Sequence, residues 1–537
     1  MPDTSSASPK SSARPALSLD LVRTPKAPVL AWALRHRAGE AVAAVCAGAD
    51  IRDADGVFWE GVNPCVFAPR DVVNHHFPLC SGALTEGDDI VAFTQGSTID
   101  RVFLIRRGDI IVISNSLPFA LKNAGVELAP RDIGYHWHMG AIRAHRTRLP
   151  VKGAEAWMFT NCNIHITRDH AISWRNKPAS PPFHSYAEYR RLLDAFVAEI
   201  VAATRHPLNK AYTPIATISS GYDSPAAAVL ARAAGATHGL TIVDGRGGVD
   251  DSGEAIAAAL GLEVETLART AYRDAGLEAE RLFYFGGVAN DIVFFPWQER
   301  LRGALLFSGY KGDMAWERMW PRPLPIWGFD ADGATLQEMR LRAGFVHLPP
   351  ALFGNARTDQ LLAITQAEEM RPWTLWTRYD RPIARRIVEE AGVPRHLFGQ
   401  SKKMVTSTTG IDKSRFIELD ELGLSSEFRQ ALRDHQHRYG GLRLSSAMAL
   451  HNGVHTLIRA AHRAVHGIKN ALSKPKPAGA TPAAPPSGPQ RFSLKDRVFF
   501  ELEWILPPRR IYMTPATDLS FAAQVANRLL AADYPDF

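Results

Sequence analysis

Residues 213–235 read TPIATISSGYDSPAAAVLARAAG. The apolar run 215–218 predicts a strand, and the alanine-rich stretch from Pro225 onward predicts a helix. Between them lies a polar turn: Ser219, Ser220, Gly221, Tyr222, Asp223, Ser224. Ser224 is a residue type favoured at the N-cap. Pro225 suits the first helical position, where its missing N–H leaves nothing unpaired. A small-residue turn at a helix N-terminus presents free amide groups and the positive end of the helix dipole, a combination that suits a phosphate. Asp223 would repel a bare phosphate, and its presence makes sense if a divalent cation bridges carboxylate and phosphate oxygens. An ordinary strand–helix turn is the competing account of the same six residues.

Working outward, strands are predicted at 238–243, 262–267 and 304–307, with a helix at 252–260. Strand–helix alternation at this spacing implies a parallel sheet with helices on both faces, and ligands in such sheets bind beyond the carboxyl ends of the strands. Asp244 ends the second strand at that edge, either lining an adenine and ribose pocket or standing in a solvent loop. The strand at 304–307 feeds a second glycine-containing turn, Ser308, Gly309, Tyr310, Lys311, Gly312, Asp313. Two turns that bring Asp223 and Asp313 to one sheet edge would supply the hard oxygen ligands that a Mg²⁺–triphosphate needs. Apolar residues at helical spacing predict a helix over 186–204 leading into this region. Upstream, residues 17–185 carry many short strand signals broken by Gly, Asp and Pro, among them the hairpin RVFLIRRGDIIVISNS at 101–116.

The turn at 219–224 resembles the pyrophosphate loop S-G-G-x-D-S of the ATP pyrophosphatases, and the turn at 308–313 resembles the second loop, S-G-x-G-x-D-E, of one branch: the asparagine synthetase and β-lactam synthetase family. Ser220 stands where that family usually has Gly, and Met314 where it has Glu. Glu368-Glu369-Met370-Arg371-Pro372-Trp373 is similar to the family's E-x-R-x-P-F stretch, shortened by one residue. Residues 394–404, PRHLFGQSKKM, are similar to its closing loop, with Gln400 in place of Arg. The resemblance implies an adenine nucleotide alpha hydrolase-like α/β domain over 186–470, preceded at 17–185 by an α+β domain similar to an Ntn-type glutaminase. It implies ATP and Mg²⁺ as cofactors. Ser219, Ser220, Gly221, Tyr222, Asp223, Ser224, Asp244, Ser308 and Gly309 would face the nucleotide, and Asp223 with Asp313 the metal. Lys402 would stabilise the transition state, and Glu369 would handle the proton of the attacking amine.

A glutaminase of this family needs an N-terminal cysteine nucleophile. Here the chain starts Met1-Pro2-Asp3 and its first cysteine is Cys46, so the upstream domain is expected to be a degenerate scaffold. The expected activity is carboxylate adenylation followed by attack of an amine or ammonia, on a small-molecule or peptide substrate. The composition, 46% hydrophobic and 22% charged, fits a globular chain, with no run of about 18 apolar residues to span a membrane. A cytoplasmic protein, compatible with a homodimer, is the expectation. Four cysteines without a C-x-x-C pair indicate neither a disulfide framework nor zinc. A net charge of +7 without a dense basic block does not point to nucleic acid. Residues 1–16 read as a tail, 471–490 as a Pro/Ala linker, and 491–537 as an extension that docks on the body or on a partner. Two rivals share the same loops: a nucleic-acid-modifying enzyme, and an inactive nucleotide-binding scaffold of a biosynthetic assembly.

Overall fold

A computed structural model describes residues 15–130, 139, 145–245, 248–287, 289, 291–318, 336–377, 379–401, 403, 423–439 and 516–537. The tail before residue 15, the linker at 471–490 and the histidine-bearing stretch at 443–469 lie outside them.

The architecture is mixed α/β: a β-rich, largely antiparallel N-terminal region and a parallel sheet. Among the described residues thirteen strands build the first part: β1 (Ser18–Arg23), β2 (Trp32–Arg37), β3 (Val42–Ala47), β4 (Arg52–Ala54), β5 (Val57–Val62), β6 (Leu79–Glu86), β7 (Asp89–Phe93), β8 (Val102–Arg107), β9 (Ile110–Ser114), β10 (Arg146–Leu149), β11 (Glu155–Phe159), β12 (Cys162–Thr167) and β13 (Ile172–Asn176). They form a seven-stranded sheet in the order β1-β3-β2-β9-β8-β11-β10 and a six-stranded sheet in the order β13-β12-β7-β6-β5-β4. Alternation turns one face of each sheet inward. Trp32, Leu34 and Ile113 from one sheet meet Phe58, Ala92 and Ile164 from the other in a single buried cluster. The predicted hairpin is β8–β9, paired antiparallel across its turn. Helix α1 (Leu117–Ala124), capped by Ser116 through the amide of Phe119, lies against this hairpin.

The second part opens with helix α2 (Tyr186–Thr204), capped by Ser185. Among the described residues its strands, β14 (Thr213–Thr217), β15 (His238–Ile242), β16 (Glu263–Leu267), β17 (Ala304–Phe307) and β18 (Val346–Leu348), run in the order β16-β15-β14-β17-β18. Every pairing is parallel. Helix α3 (Asp223–Ala233) follows β14 and packs on one face with Ala216, Ile218, Leu305 and Phe307. Helix α4 (Glu254–Leu260) joins the same cluster, while Ile215, Leu240, Ile242 and Leu306 point to the opposite face.

Helix α5 (Gln337–Ala343) ties the two parts together through polar groups that are fully buried. The Arg340 guanidinium makes two bonds to Glu60 (2.8 and 3.1 Å) and one to Asp100 (2.9 Å). Gln337 donates to the carbonyls of Arg101 and Asn115, and Glu338 accepts from Ser116 and Tyr534. The C-terminal segment completes the junction with helix α6 (Ala516–Ala531). Asp533 receives Arg281 and Arg342, Tyr534 stacks on Phe119, and the Phe537 carbonyl accepts from Arg35. The extension expected to dock therefore does so over residues 516–537. No helix among the described residues is long and apolar enough to cross a membrane.

Removing one partner of a buried ion network leaves the rest uncompensated. Arg340→Met is therefore expected to lower the free energy of unfolding by about 3–5 kcal/mol, read from urea titrations. Adding Glu60→Gln and Asp100→Asn should recover part of the loss.

Candidate functional site

At the carboxyl ends of β14, β15 and β17 the two loops close around one cleft of about 190 Å³. Its walls include Ser219, Gly221, Tyr222, Asp223 and Ser224 from the first loop and Ser308, Gly309, Tyr310, Lys311 and Asp313 from the second. Asp223 and Asp313 thus share a cavity. The loops also touch directly. A Cβ added to Gly309 would fall 2.4 Å from the Ser224 amide nitrogen, and one added to Gly312 would fall 2.4 Å from the Asp223 carboxylate. Both positions need glycine for this approach.

The first loop folds differently in detail from the sequence expectation. Helix α3 begins at Asp223, and Ser224 does not cap it: its hydroxyl sits 2.7 Å from the Ser219 hydroxyl, bracing the turn. Ser220 does not line the cleft. Its hydroxyl donates to Asp251 at 2.6 Å, which turns the extra side chain away from the cavity and explains how a Cβ is tolerated.

Asp223 has a partner that sequence reading missed. The buried guanidinium of Arg381 bonds its carboxylate, lies 3.6 Å from Glu317, and stacks over Tyr379 at 5.0 Å. Nearby carboxylates, Asp223 first and then Asp313, hold Arg381 firmly protonated against the burial that opposes it. A divalent ion at Asp223 does not fit this arrangement, because a guanidinium already supplies the positive charge and Gly312 packs against the carboxylate. Among the described residues no three His, Cys, Asp or Glu side chains form a metal-binding group. As the chain is folded here, Asp223 is the ion-pair partner of Arg381.

Three further expectations meet the geometry differently. Asp244 does not line the cleft; its carboxylate accepts the amide of Arg269 at 2.9 Å. Glu369 is also elsewhere: one oxygen accepts the Tyr186 amide at the start of α2 and the other faces Arg386 at 3.4 Å. Its position supports a structural role, that of satisfying an unpaired amide at a helix N-terminus. Lys402 lies outside the described residues, while its neighbour Lys403 lines the cleft and donates to the Asp250 carbonyl. Met314 is apolar, and Glu317, three residues on, brings a carboxylate to Arg381.

Ser308 lies at the end of β17 with its hydroxyl 2.5 Å from Nε2 of His347, on β18. Both are buried. Burial, with Arg340 as a smaller cause, pushes the His347 imidazole from 6.5 down to about 3. It is neutral at pH 7 and a poor base, so it orients the Ser308 hydroxyl and does not ionise it. Tyr310 donates to the buried carboxylate of Asp291, and Phe294 and Trp297 complete an aromatic wall.

No protein-family model matches this sequence, and no curated protein is significantly similar to it.

A histidine held neutral by the fold opposes protonation. Stability is therefore full above pH 6.5 and is lost as pH falls from there toward 3, where the folded state also accepts the proton. Unfolding titrations across this range are expected to show a smaller acid loss for His347→Gln than for the parent chain.

Proposed function

We propose that the chain is an ATP-dependent, AMP-forming carbon–nitrogen ligase of the asparagine synthetase-like kind. The parallel sheet is read as its adenine nucleotide-binding domain, and the N-terminal region as a degenerate Ntn-type scaffold. One observation carries the reading: the loops after β14 and β17 meet in a single cleft against the N-terminus of α3, with Asp223 and Asp313 both in its wall. Helix N-termini favour phosphate, and α/β sheets of this type bind ligands at this edge.

In the proposed reaction a substrate carboxylate oxygen bonds to the α-phosphorus of ATP as the bond to pyrophosphate breaks, the electron pair leaving with pyrophosphate. An amine or ammonia then attacks the acyl carbon, AMP departs, and the amine's proton passes to base. The Ser219 and Ser224 hydroxyls and the Gly221 amide serve as donors to the phosphates. Lys311, Arg381 and Lys403 offset charge on the α-phosphate, the term that usually dominates such rates. Ser308, oriented by neutral His347, presents its hydroxyl from the opposite loop. No step is assigned to a metal at Asp223, and none to Glu369.

A second reading is favoured by the tightness of the loops. With Gly309 packed on the Ser224 amide and Arg381 on Asp223, the cleft also suits a scaffold that binds nucleotide without turnover.

Exchange of labelled pyrophosphate into ATP, driven by a panel of carboxylic acids, separates the two. The ligase predicts exchange with at least one acid. It also predicts a loss of roughly 100-fold in Lys403→Met and in Asp313→Asn, with Glu369→Ala near the parent rate. The scaffold predicts nucleotide binding, no exchange with any acid, and no effect of Asp223→Ala on pyrophosphate turnover.

A further inference from the structure

Ser219 and Gly221 line the cleft, and Ser220 between them does not. Ser220 instead ties two other segments to the first loop. Its amide and its hydroxyl donate to one carboxylate oxygen of Asp251, at 3.2 and 2.6 Å. Its own carbonyl accepts the Gly399 amide at 2.8 Å. Gly399 reaches that point because it has no side chain: its φ is +66°, and an added Cβ would fall 2.4 Å from the Tyr222 ring.

Asp251 passes this grip on to Lys403. The peptide that joins Asp250 to Asp251 presents the Asp250 carbonyl, and that oxygen accepts Lys403 Nζ at 2.6 Å. Gly245 allows the approach: an added Cβ would fall 3.1 Å from Cβ of Lys403 and 3.3 Å from Cβ of Asp251. Burial pushes the Asp251 carboxyl above its ordinary range, and the Ser220 hydroxyl, then Lys403, oppose the rise. Asp251 and Lys403 both line the cleft. A lysine loses much rotamer freedom when it is held in one place, so an anchor at its end decides where the charge stands. The ammonium carries three donors and spends one on Asp250.

We infer that Ser220 is a positioning residue for Lys403: through Asp251 it fixes the carbonyl that holds the lysine's ammonium at the cleft, where that cation meets the charge developing on the α-phosphate. This rests on the ligase reading and goes beyond it, because it assigns an effect on rate to a side chain outside the cleft wall. Ser220 touches no substrate and acts only through the lysine.

The test compares Ser220→Ala, Ser220→Gly, Ser220→Thr and Gly245→Ala in the full chain. Two readouts are taken: pyrophosphate exchange, and mass-spectrometric mapping of acetic anhydride labelling at Lys403. Ser220→Ala and Ser220→Gly should lower kcat roughly 100-fold with KM for ATP little changed. Ser220→Thr, which keeps the hydroxyl, should recover most of the rate. Gly245→Ala should reproduce the loss with Ser220 intact. Added to Lys403→Met, Ser220→Ala should cost nothing further, the sign that it works through that lysine. Labelling of Lys403 should quicken in the alanine and glycine variants and slow again in Ser220→Thr. Unchanged labelling in Ser220→Ala, or a full additional loss in the double variant, would overturn the inference. If the parent exchanges pyrophosphate and Ser220→Ala leaves that rate intact, the inference falls and the ligase reading survives. If labelling responds as expected but no acid supports exchange in the parent, the tether to Lys403 is supported and the ligase reading falls.

Discussion

The cleft depends on how the carboxylate of Asp223 is held. It stands at the first turn of α3, pressed against Gly312 from the second loop and bonded to Arg381 from a third part of the chain. Three segments far apart in sequence are fixed to one another at that point. A buried ion pair contributes little net stability, because desolvation offsets most of the attraction, but breaking one side of it is strongly unfavourable. Its effect is to specify a single arrangement of the loops. The glycines matter for the same reason: neither Gly309 nor Gly312 leaves room for a side chain.

Among the described residues the charges in the cleft wall balance closely. Asp223, Asp251 and Asp313 are set against Lys311, Arg381 and Lys403. A site of this kind selects by where its charges stand and not by an overall field. Asp251 is tied to Ser220, Lys403 reaches the neighbouring backbone carbonyl of Asp250, and Arg381 is tied to Asp223. Arg381 and Lys403 are thus already positioned by their partners before any ligand arrives, the condition under which electrostatic stabilisation is most effective.

Much of the fold could be read from residues 213–235, because the shift from a strand to a helix of alanines is a local change of period. The second loop was legible for the same reason, its glycines following a short buried strand. Helix α3 starts two residues earlier than Ser224 and Pro225 suggest, since the Ser224 side chain is drawn to Ser219 and leaves the capping position. Glu369 was chosen from a local pattern whose spacing is one residue short, and the fold uses it on α2. Arg381, Trp297 and His347 carry no such pattern. Arg381 meets Asp223 across 158 residues, and His347 meets Ser308 across 39, so only the folded chain brings them together. Asp251 has no sequence pattern of its own, because its role follows from Ser220, whose hydroxyl it accepts.

The last helix and the residues after it seal the seam between the two parts: Tyr534 reaches Ser116 across 418 residues. During synthesis, α1 and the strands beneath it leave the ribosome long before the segment that covers them. The nascent chain must therefore carry the uncovered face of Phe119 through most of its translation, and that of α5 from its emergence until the covering helix follows. A stalled or shortened message would release a product with that apolar seam open, a surface suited to capture by chaperones.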